Sequence, residues 1–134
     1  MQIPDQYALT ERVIGLAIEV HRHLGSGLLE SAYEECLCYE LATHDIEFAR
    51  QVALPIVYQV ALPIVYKEIS LDCGYRMDLV ISRCLMIEIK AIERLIPIHE
   101  AQLLTYLRLS GHRIGLLMNF HAILLKDGLR RLVL

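Results

Sequence analysis

The chain has 134 residues, 55% of them hydrophobic, and a formal net charge of -3 at pH 7. This length fills one good core and is too short for two ordinary domains, so we expect a single domain over residues 1–134. The mild negative charge argues against a protein that coats nucleic acid through bulk electrostatics, but it leaves room for a small site that reaches phosphate through a bound metal.

No stretch of the sequence predicts a membrane helix or a secretion signal. The longest uncharged stretch, residues 51–66, contains two prolines, whereas a membrane helix needs about 20 consecutive apolar residues. The N-terminus lacks a basic region followed by an apolar one. The cysteines form no CxxC pair and lie among apolar residues, which favours free thiols in a reducing cytoplasm over a zinc site or disulfides. They are Cys36, Cys38, Cys73 and Cys84.

Helical periodicity marks three segments. Residues 10–24 place apolar side chains every three or four residues, and a glycine follows as the expected stop. A second helix is expected from about Leu28 to about His44. A third is expected over residues 96–111, where Pro97 suits the first turn.

The remaining segments predict strands. Residues 47–90 are rich in β-branched residues and alternate in polarity. Residues 112–120 and 124–134 have the pattern of closing strands, with a turn at residues 126–128. Two helices, several strands, a helix and two strands together predict an α/β fold with a mixed sheet flanked by helices.

The octapeptide QVALPIVY occurs twice in tandem, at residues 51–58 and 59–66. An identical copy this short indicates a recent duplication, because repeats that act as structural units usually span about 20 residues or more. Since eight is even, either copy preserves the alternation of a strand. We expect the second copy, which runs into the strand carrying Asp78, to lie in the sheet. The first copy would then loop out or lengthen an edge hairpin.

Two acids and a lysine interrupt the apolar strands of MDLVISRCLMIEIK, residues 77–90. If residues 82–84 form a three-residue turn, Asp78 lies opposite Glu88 with the Cβ atoms roughly 4.5 to 5.5 Å apart. Lys90 then falls on the same face. Carboxylates this close repel, so one takes up a proton unless a cation lies between them. A hard divalent ion with oxygen ligands, such as Mg²⁺, suits that position.

Two alternatives stay open for this stretch. A two-residue turn would shift the register by one and send the acids to opposite faces of the sheet. An exposed strand face with a Glu–Lys pair also fits, because single matches to D-x9-E-x-K are common.

Further motifs accompany these three residues in a fixed order. Residues 27–33 are a G-x-x-E-x-x-Y run, LDCGYRMDL contains the first acid, IEIKA contains the second acid and the lysine, and IHEAQLLTYL follows. With these motifs the chain, from Leu9 to Leu134, resembles the GxxExxY family of small bacterial and archaeal proteins, which is placed in the PD-(D/E)XK nuclease superfamily. The resemblance implies a restriction-endonuclease-like core. The second octapeptide departs from the family pattern, as does Met77 at the position of the superfamily's proline.

The resemblance implies a role for each matching residue. Asp78 and Glu88 match the two acids of the superfamily motif and would bind Mg²⁺ or Mn²⁺ together with the main-chain carbonyl of Ile89. Lys90 matches its lysine, which would hold or deprotonate the attacking water and stabilise charge on the phosphate. Glu30 matches a helix acid that many members aim at the same metal.

The resemblance also assigns residues to the substrate. Gln102 and Tyr106 match a Q-x-x-x-Y element, and with His99 on the same helix face they would line the site and contact substrate phosphate. A polar helix stripe is the structural alternative for these three residues. A core aromatic is the alternative for Tyr33, and a solvated first-turn acid is the alternative for Glu30.

The leading function is therefore metal-dependent hydrolysis of phosphodiester bonds, in DNA, by a cytoplasmic protein without a membrane partner. The alternative is a binding or regulatory module that retains the nuclease scaffold and no longer cuts. The intact set of two acids and a lysine favours the enzyme. The absence of a separate DNA-reading segment favours the module, or else a partner or homodimer that supplies additional grip.

The other polar clusters are less informative. His21 and His23 lack partners at metal-ligand spacing, so we expect them at the surface. Basic residues toward the C-terminus either guide a phosphate backbone or protect an edge strand from aggregation, and the sequence does not decide between these roles. They are Arg108, Arg113, Lys126, Arg130 and Arg131.

Overall fold

The computed structural model of the chain describes residues 5–53, 56–57, 60–61, 64–67, 69–71 and 76–134. The elements are α1 Gln6–Leu24, α2 Glu30–Thr43, β1 Phe48–Ala53, β2 Ile56–Val57, β3 Val60–Ala61, β4 Ile64–Tyr66, β5 Ile69–Leu71, β6 Arg76–Ile81, β7 Leu85–Lys90, α3 Pro97–Ser110, β8 Ile114–Asn119, a 3₁₀ turn Leu125–Gly128 and β9 Leu129–Val133. Among these residues no helix is long and apolar enough to cross a membrane.

Five strands form the central sheet, in the order β1-β6-β7-β8-β9. Strands β7 and β8 are parallel, and the other neighbours in this sheet are antiparallel. A parallel pair needs a crossover connection, and α3 supplies it. The predicted α/β class and mixed sheet are confirmed.

The helices cover both faces of the sheet. Ile87 and Ile89 pack in one apolar cluster with residues of α1 and α2, whereas Met86 packs in a second cluster with Leu103 and Leu107 of α3. This division follows from the alternation of side chains along a strand. It also explains why β7 reads as a nearly continuous apolar run, since both of its faces are covered.

The helix boundaries differ from the sequence predictions by a few residues. Helix α1 begins four residues before the predicted start at residue 10, because the Asp5 side chain accepts hydrogen bonds from the main-chain nitrogens of Tyr7 and Ala8. Helix α3 covers Pro97–Ser110, one residue inside the predicted range 96–111 at each end, and Gly111 caps it with a left-handed φ of 80°.

The turn between β6 and β7 has the three residues that the site geometry requires. Ser82 and Arg83 adopt left-handed φ values of 50° and 60°. The register pairs Ile81 with Leu85 and Leu79 with Ile87. The predicted three-residue turn and strand register are confirmed, and the two-residue alternative is excluded.

The placement of the octapeptide reverses our expectation. Residues Gln51–Ala53, which begin the first copy, belong to β1 and reach the strand carrying Asp78 through the pairs Val52↔Met77 and Ala53↔Arg76. The end of the second copy lies in β4, which pairs with β5 outside the central sheet. The first copy directly follows residues 48–50 in β1, although Gln51 has a left-handed φ of 52°, and this continuity along the chain outweighs the proximity of the second copy to Asp78. Pro55 and Pro63 lie outside the described residues.

The histidine and cysteine predictions are only partly met. His21 is buried, contrary to our expectation, because the loop after β8 covers it and its Nε2 lies 2.8 Å from the carbonyl oxygen of Ala122. Cys36, Cys38 and Cys84 are free thiols. Burial raises the pKa of Cys38 to about 11, which suits an unreactive core thiol. Cys73 lies outside the described residues.

Candidate active site

The carboxylates of Asp78 and Glu88 meet where β6 and β7 separate. The main-chain pairing of β6 with β7 ends at Leu79↔Ile87, and beyond it hydrogen bonds from main-chain nitrogens to the two carboxylates connect the strands. The main-chain nitrogen of Asp78 donates to Glu88 Oε1 at 3.3 Å, and the main-chain nitrogen of Ile89 donates to Asp78 Oδ2 at 2.8 Å. Each carboxylate is therefore fixed by a main-chain nitrogen of the opposite strand, and the two carboxylates lie side by side.

The electrostatics of this pair are those of two acids without a compensating cation. Burial, followed by the negative charge of Asp78, raises the pKa of Glu88 to about 8, and Glu88 is only 6% exposed. Burial also raises the pKa of Asp78, although the Ile89 N–H and the Lys90 charge act in the opposite direction. At neutral pH the pair therefore retains about one proton, as the sequence reasoning expected for two adjacent carboxyls.

The donor set suits a hard divalent cation. Only one oxygen of each carboxylate accepts a hydrogen bond within the described part of the chain, so Asp78 Oδ1 and Glu88 Oε2 are open to a ligand. The N–H and C=O of one strand residue point to the same neighbouring strand, so the Ile89 carbonyl faces the β6 side, next to Asp78. Three oxygen donors from two acids and a main-chain carbonyl match what Mg²⁺ accepts alongside water.

In the part of the chain that the structure describes, these donors belong to no larger metal cluster. Across the described ranges, no group of three or more His, Cys, Asp or Glu side chains could hold a metal ion. A metal at this position would therefore depend on the two acids, the carbonyl and water, with Glu30 at a greater distance.

Lys90 connects the sheet to α3. Its Nζ donates to Gln102 Oε1 at 3.3 Å, and Gln102 Nε2 donates to the Tyr106 hydroxyl at 3.1 Å. Residues 102 and 106 are one helical turn apart, so both side chains point the same way. Lys90 lies close enough to Asp78 and Glu88 for its charge to lower the pKa of both. The structure thus brings Lys90, Gln102 and Tyr106 together in one chain of hydrogen bonds.

His99 has a structural partner that the sequence did not indicate. Its Nδ1 accepts a hydrogen bond from the main-chain nitrogen of Ile96 at 3.0 Å, which satisfies a free donor at the start of α3. Since Nδ1 is the acceptor, the proton of the neutral ring resides on Nε2. His99 is therefore equipped to donate a hydrogen bond from Nε2 rather than to act as a base there.

The G-x-x-E-x-x-Y run builds the loop that presents Glu30. The buried Tyr33 hydroxyl donates to the Gly25 carbonyl at 2.7 Å and accepts from the Leu28 nitrogen at 3.1 Å. Gly27 has a φ of 101°, a conformation that favours glycine. The Tyr33 ring stacks on Phe120 with centroids 4.5 Å apart. Tyr33 is thus a core aromatic, and the motif acts by fixing the start of α2.

Glu30 is the first residue of α2 and is exposed. It lines an open depression of about 380 Å³ together with Ala91, the residue after Lys90. Its charge contributes to raising the pKa of both Asp78 and Glu88, although burial is the main cause in each case. Glu30 therefore lies within electrostatic range of the acid pair and makes no hydrogen bond to it.

Sequence reasoning missed Glu34, which is 8% exposed and one helical turn after Glu30. Glu34 Oε2 accepts from Arg50 Nη2 at 2.8 Å, and Oε1 accepts from Gln51 Nε2 at 2.9 Å. Both oxygens are occupied, so Glu34 acts on the site through its charge, which raises the pKa of Asp78 after the effect of burial. The i, i+4 spacing from Glu30 was the available signal.

Asn119, at the end of β8, is a second residue that sequence reasoning missed. It is 3% exposed, its Oδ1 accepts from the nitrogens of Ile92 and His121 at 3.1 and 3.2 Å, and its Nδ2 donates to the Ile92 carbonyl at 3.0 Å. The Phe120 nitrogen donates to the Lys90 carbonyl at 2.8 Å. These bonds fix the chain immediately after Lys90.

Comparison with known proteins agrees with this geometry. The model of a family described as PD-(D/E)XK nuclease superfamily matches residues 7–132. The chain therefore belongs to the PD-(D/E)XK nuclease superfamily, and its mixed five-stranded sheet with three helices is consistent with the core of that group. Searches among curated proteins and among solved structures gave no match.

Proposed function

We propose that the protein is a nuclease that hydrolyses phosphodiester bonds in DNA with Mg²⁺ or Mn²⁺. The observation that carries the proposal is the Asp78–Glu88 pair, in which Glu88 is buried and Asp78 is half-buried. One oxygen of each acid is fixed by the backbone and the other is open. Burying two acids side by side is unfavourable without a cation, and superfamily membership supplies the reaction class. Within the superfamily, residues 27–33 support assignment to the GxxExxY family.

The side chains divide the work of an in-line attack by water. Asp78, Glu88 and the Ile89 carbonyl would hold the metal, which when bound polarises the phosphate and stabilises the leaving oxygen. Lys90 would orient the water through an Nζ hydrogen bond, and its positive charge would stabilise charge on the phosphate. Glu30 would contact the metal through water, since it is within electrostatic range of the pair and not bonded to it.

Helix α3 would hold Lys90 and the substrate in place. Gln102 fixes Lys90 Nζ by accepting its hydrogen bond, and Tyr106 fixes the Gln102 amide. His99 would donate from Nε2 to a substrate phosphate, because its Nδ1 is occupied by the Ile96 nitrogen. Gln102, Tyr106 and His99 lie on one face of α3, and along this face they would contact the part of the substrate beyond Lys90.

The experiment that tests the proposal is cleavage of a nucleic-acid panel. Single-stranded, duplex, flapped and branched DNA and RNA are incubated with Mg²⁺ or Mn²⁺, with EDTA as the blank and Glu88→Gln as the site control. We expect cleavage of DNA that requires the divalent ion and is lost in Glu88→Gln. Equal cleavage by Glu88→Gln would show that the observed cleavage does not depend on this site and would contradict the assignment.

A binding module that keeps the scaffold without cutting is the second candidate, and one observation favours it. With the pKa of Glu88 at about 8, the pair retains a proton at neutral pH and forms a hydrogen-bonded arrangement that tolerates the absence of a metal. Binding measurements distinguish the two candidates. A binding module would bind nucleic acid equally well in EDTA and in Mg²⁺, whereas a nuclease would bind its substrate more tightly with the ion.

A further inference from the structure

An open groove of about 690 Å³ runs along α3 beside the candidate active site. Its apolar wall consists of Ile98, Ala101 and Leu109, which recur on one side of the helix, and Ile98 is 63% exposed. The residues that α3 turns toward the sheet are different ones, Leu103 and Leu107. The apolar wall is therefore not part of the described core.

Polar groups line one edge of the groove and connect it to Lys90. Gln102 and Tyr106 both line the groove, and Gln102 accepts the hydrogen bond from Lys90 Nζ. Arg108 stands at the far end, six residues and therefore about 9 Å along the helix from Gln102. In the described part of the chain Arg108 forms no ion pair. A molecule in the groove would contact the lysine-bound amide at one end and a cation at the other.

This combination of chemistry matches one nucleotide of a strand. The apolar wall suits the face of a base, and the polar edge and Arg108 suit sugar and phosphate. An intact duplex keeps its base faces stacked and presents phosphates outward, so it has nothing to place against Ile98 and Leu109. The net charge of -3 also disfavours binding a duplex by electrostatics alone.

We propose that the α3 groove binds one unpaired nucleotide next to the phosphate that Lys90 faces, so that the preferred substrate is a single strand or an unpaired end. This inference rests on the proposed nuclease function and specifies its substrate class. It assigns base contact to Ile98 and Leu109 and phosphate contact to Arg108.

Binding of a mononucleotide tests the groove without requiring cleavage. Deoxythymidine 5′-monophosphate is titrated into the protein while backbone amide shifts are followed by NMR, with inorganic phosphate as the second probe. We expect shifts along α3, weaker binding of phosphate alone, about fivefold weaker nucleotide binding in Ile98→Ser and about tenfold weaker binding in Arg108→Gln.

Two matched variants control for the substitutions themselves. Ile123→Ser alters an isoleucine that is 89% exposed on the loop after β8, and Arg22→Gln alters an exposed arginine of α1. Both should bind the nucleotide like the wild type. Shifts that map away from α3, phosphate that binds as tightly as the nucleotide, or equal weakening in Ile98→Ser and Ile123→Ser would overturn the inference.

Cleavage separates this inference from the proposed function. The wild type should cut an unpaired strand about tenfold faster than the same sequence in a duplex, and Ile98→Ser should reduce that ratio through KM. Equal rates on both substrates would overturn the groove assignment and leave the nuclease intact. Nucleotide binding along α3 without any cleavage would support the groove and contradict the proposed function.

Discussion

The Asp78 nitrogen donates to the Glu88 carboxylate, while the Asp78 carboxylate accepts from the nitrogen of Ile89, the residue after Glu88. Where β6 and β7 separate, hydrogen bonds to the two carboxylates thus take the place of the main-chain hydrogen bonds between the strands. This reciprocal bonding holds the half-buried Asp78 carboxyl beside the buried Glu88 carboxyl, so protonation or a cation must compensate their like charges. The consequences for stability, metal binding and catalysis can each be measured.

The stability of the metal-free protein should fall as the pH rises. The pKa of Glu88 is raised from 4.5 to about 8, so the folded chain binds more protons than the unfolded chain between these values. The stabilisation is complete below pH 4.5 and is lost as the pH approaches 8, by an amount on the order of a few kcal/mol. Urea unfolding in EDTA at pH 6 and pH 9 measures the difference.

Glu88→Gln should have a flatter dependence on pH and exceed the wild type in stability at pH 9, because the amide cannot ionise. Glu11→Gln, at an exposed position of α1, is the matched control and should follow the wild type. A wild type that is as stable in EDTA at pH 9 as at pH 6 would contradict the electrostatics of the pair.

Tyr33→Phe should loosen the loop before Glu30. The substitution keeps the stacking on Phe120 and removes the hydroxyl that joins the Gly25 carbonyl to the Leu28 nitrogen. We expect a loss of about 1–3 kcal/mol in the free energy of unfolding and a higher Mg²⁺ requirement for cleavage. Tyr39→Phe changes an exposed tyrosine of the same helix and should have neither effect. Equal stability in both variants would show that the hydroxyl does not fix the loop.

Asn119→Asp should weaken the segment that follows Lys90. The two hydrogen bonds accepted by Oδ1 can persist, but the donor to the Ile92 carbonyl becomes a second oxygen. We expect a loss of about 1–3 kcal/mol at neutral pH, with recovery in acid, where the protonated carboxyl can donate again. Urea unfolding against pH measures it. Asn119→Ala loses all three bonds and should show no such recovery, so identical pH profiles would contradict the assignment.

Counting residues placed Asp78 opposite Glu88 on the condition of a three-residue turn, because the pairing of a hairpin follows from the length of its turn. The hydrogen-bond partners of Asn119 and Glu34 could not be predicted by counting along a hairpin, since most of them lie 16 to 27 residues away in the sequence. His21 was misplaced for the same reason, because its partner Ala122 is distant in sequence. The octapeptide copies have identical patterns, so pattern alone could not decide which one continues β1.

Lys90→Met should separate metal binding from catalysis. Methionine has a similar length and no charge, so the acid pair keeps its open oxygens while the group proposed to orient water is lost. We expect cleavage to fall by about 10² to 10⁴ and metal affinity to be equal or higher. Lys126→Met, at an exposed position of the 3₁₀ turn, is the matched control and should cut normally. Cleavage by Lys90→Met at the wild-type rate would remove Lys90 from the mechanism.

The most direct test of the metal site is calorimetric titration of Mn²⁺ at pH 7 in two buffers with different ionisation enthalpies. Because the pKa of Glu88 is about 8 without a cation, an ion bound between Asp78 and Glu88 must displace the proton that the pair retains. We predict release of about one proton per bound ion in the wild type, the same release in Lys90→Met, and no binding in Glu88→Gln. Absence of binding to the wild type at millimolar Mn²⁺, or equal binding to Glu88→Gln, would contradict it.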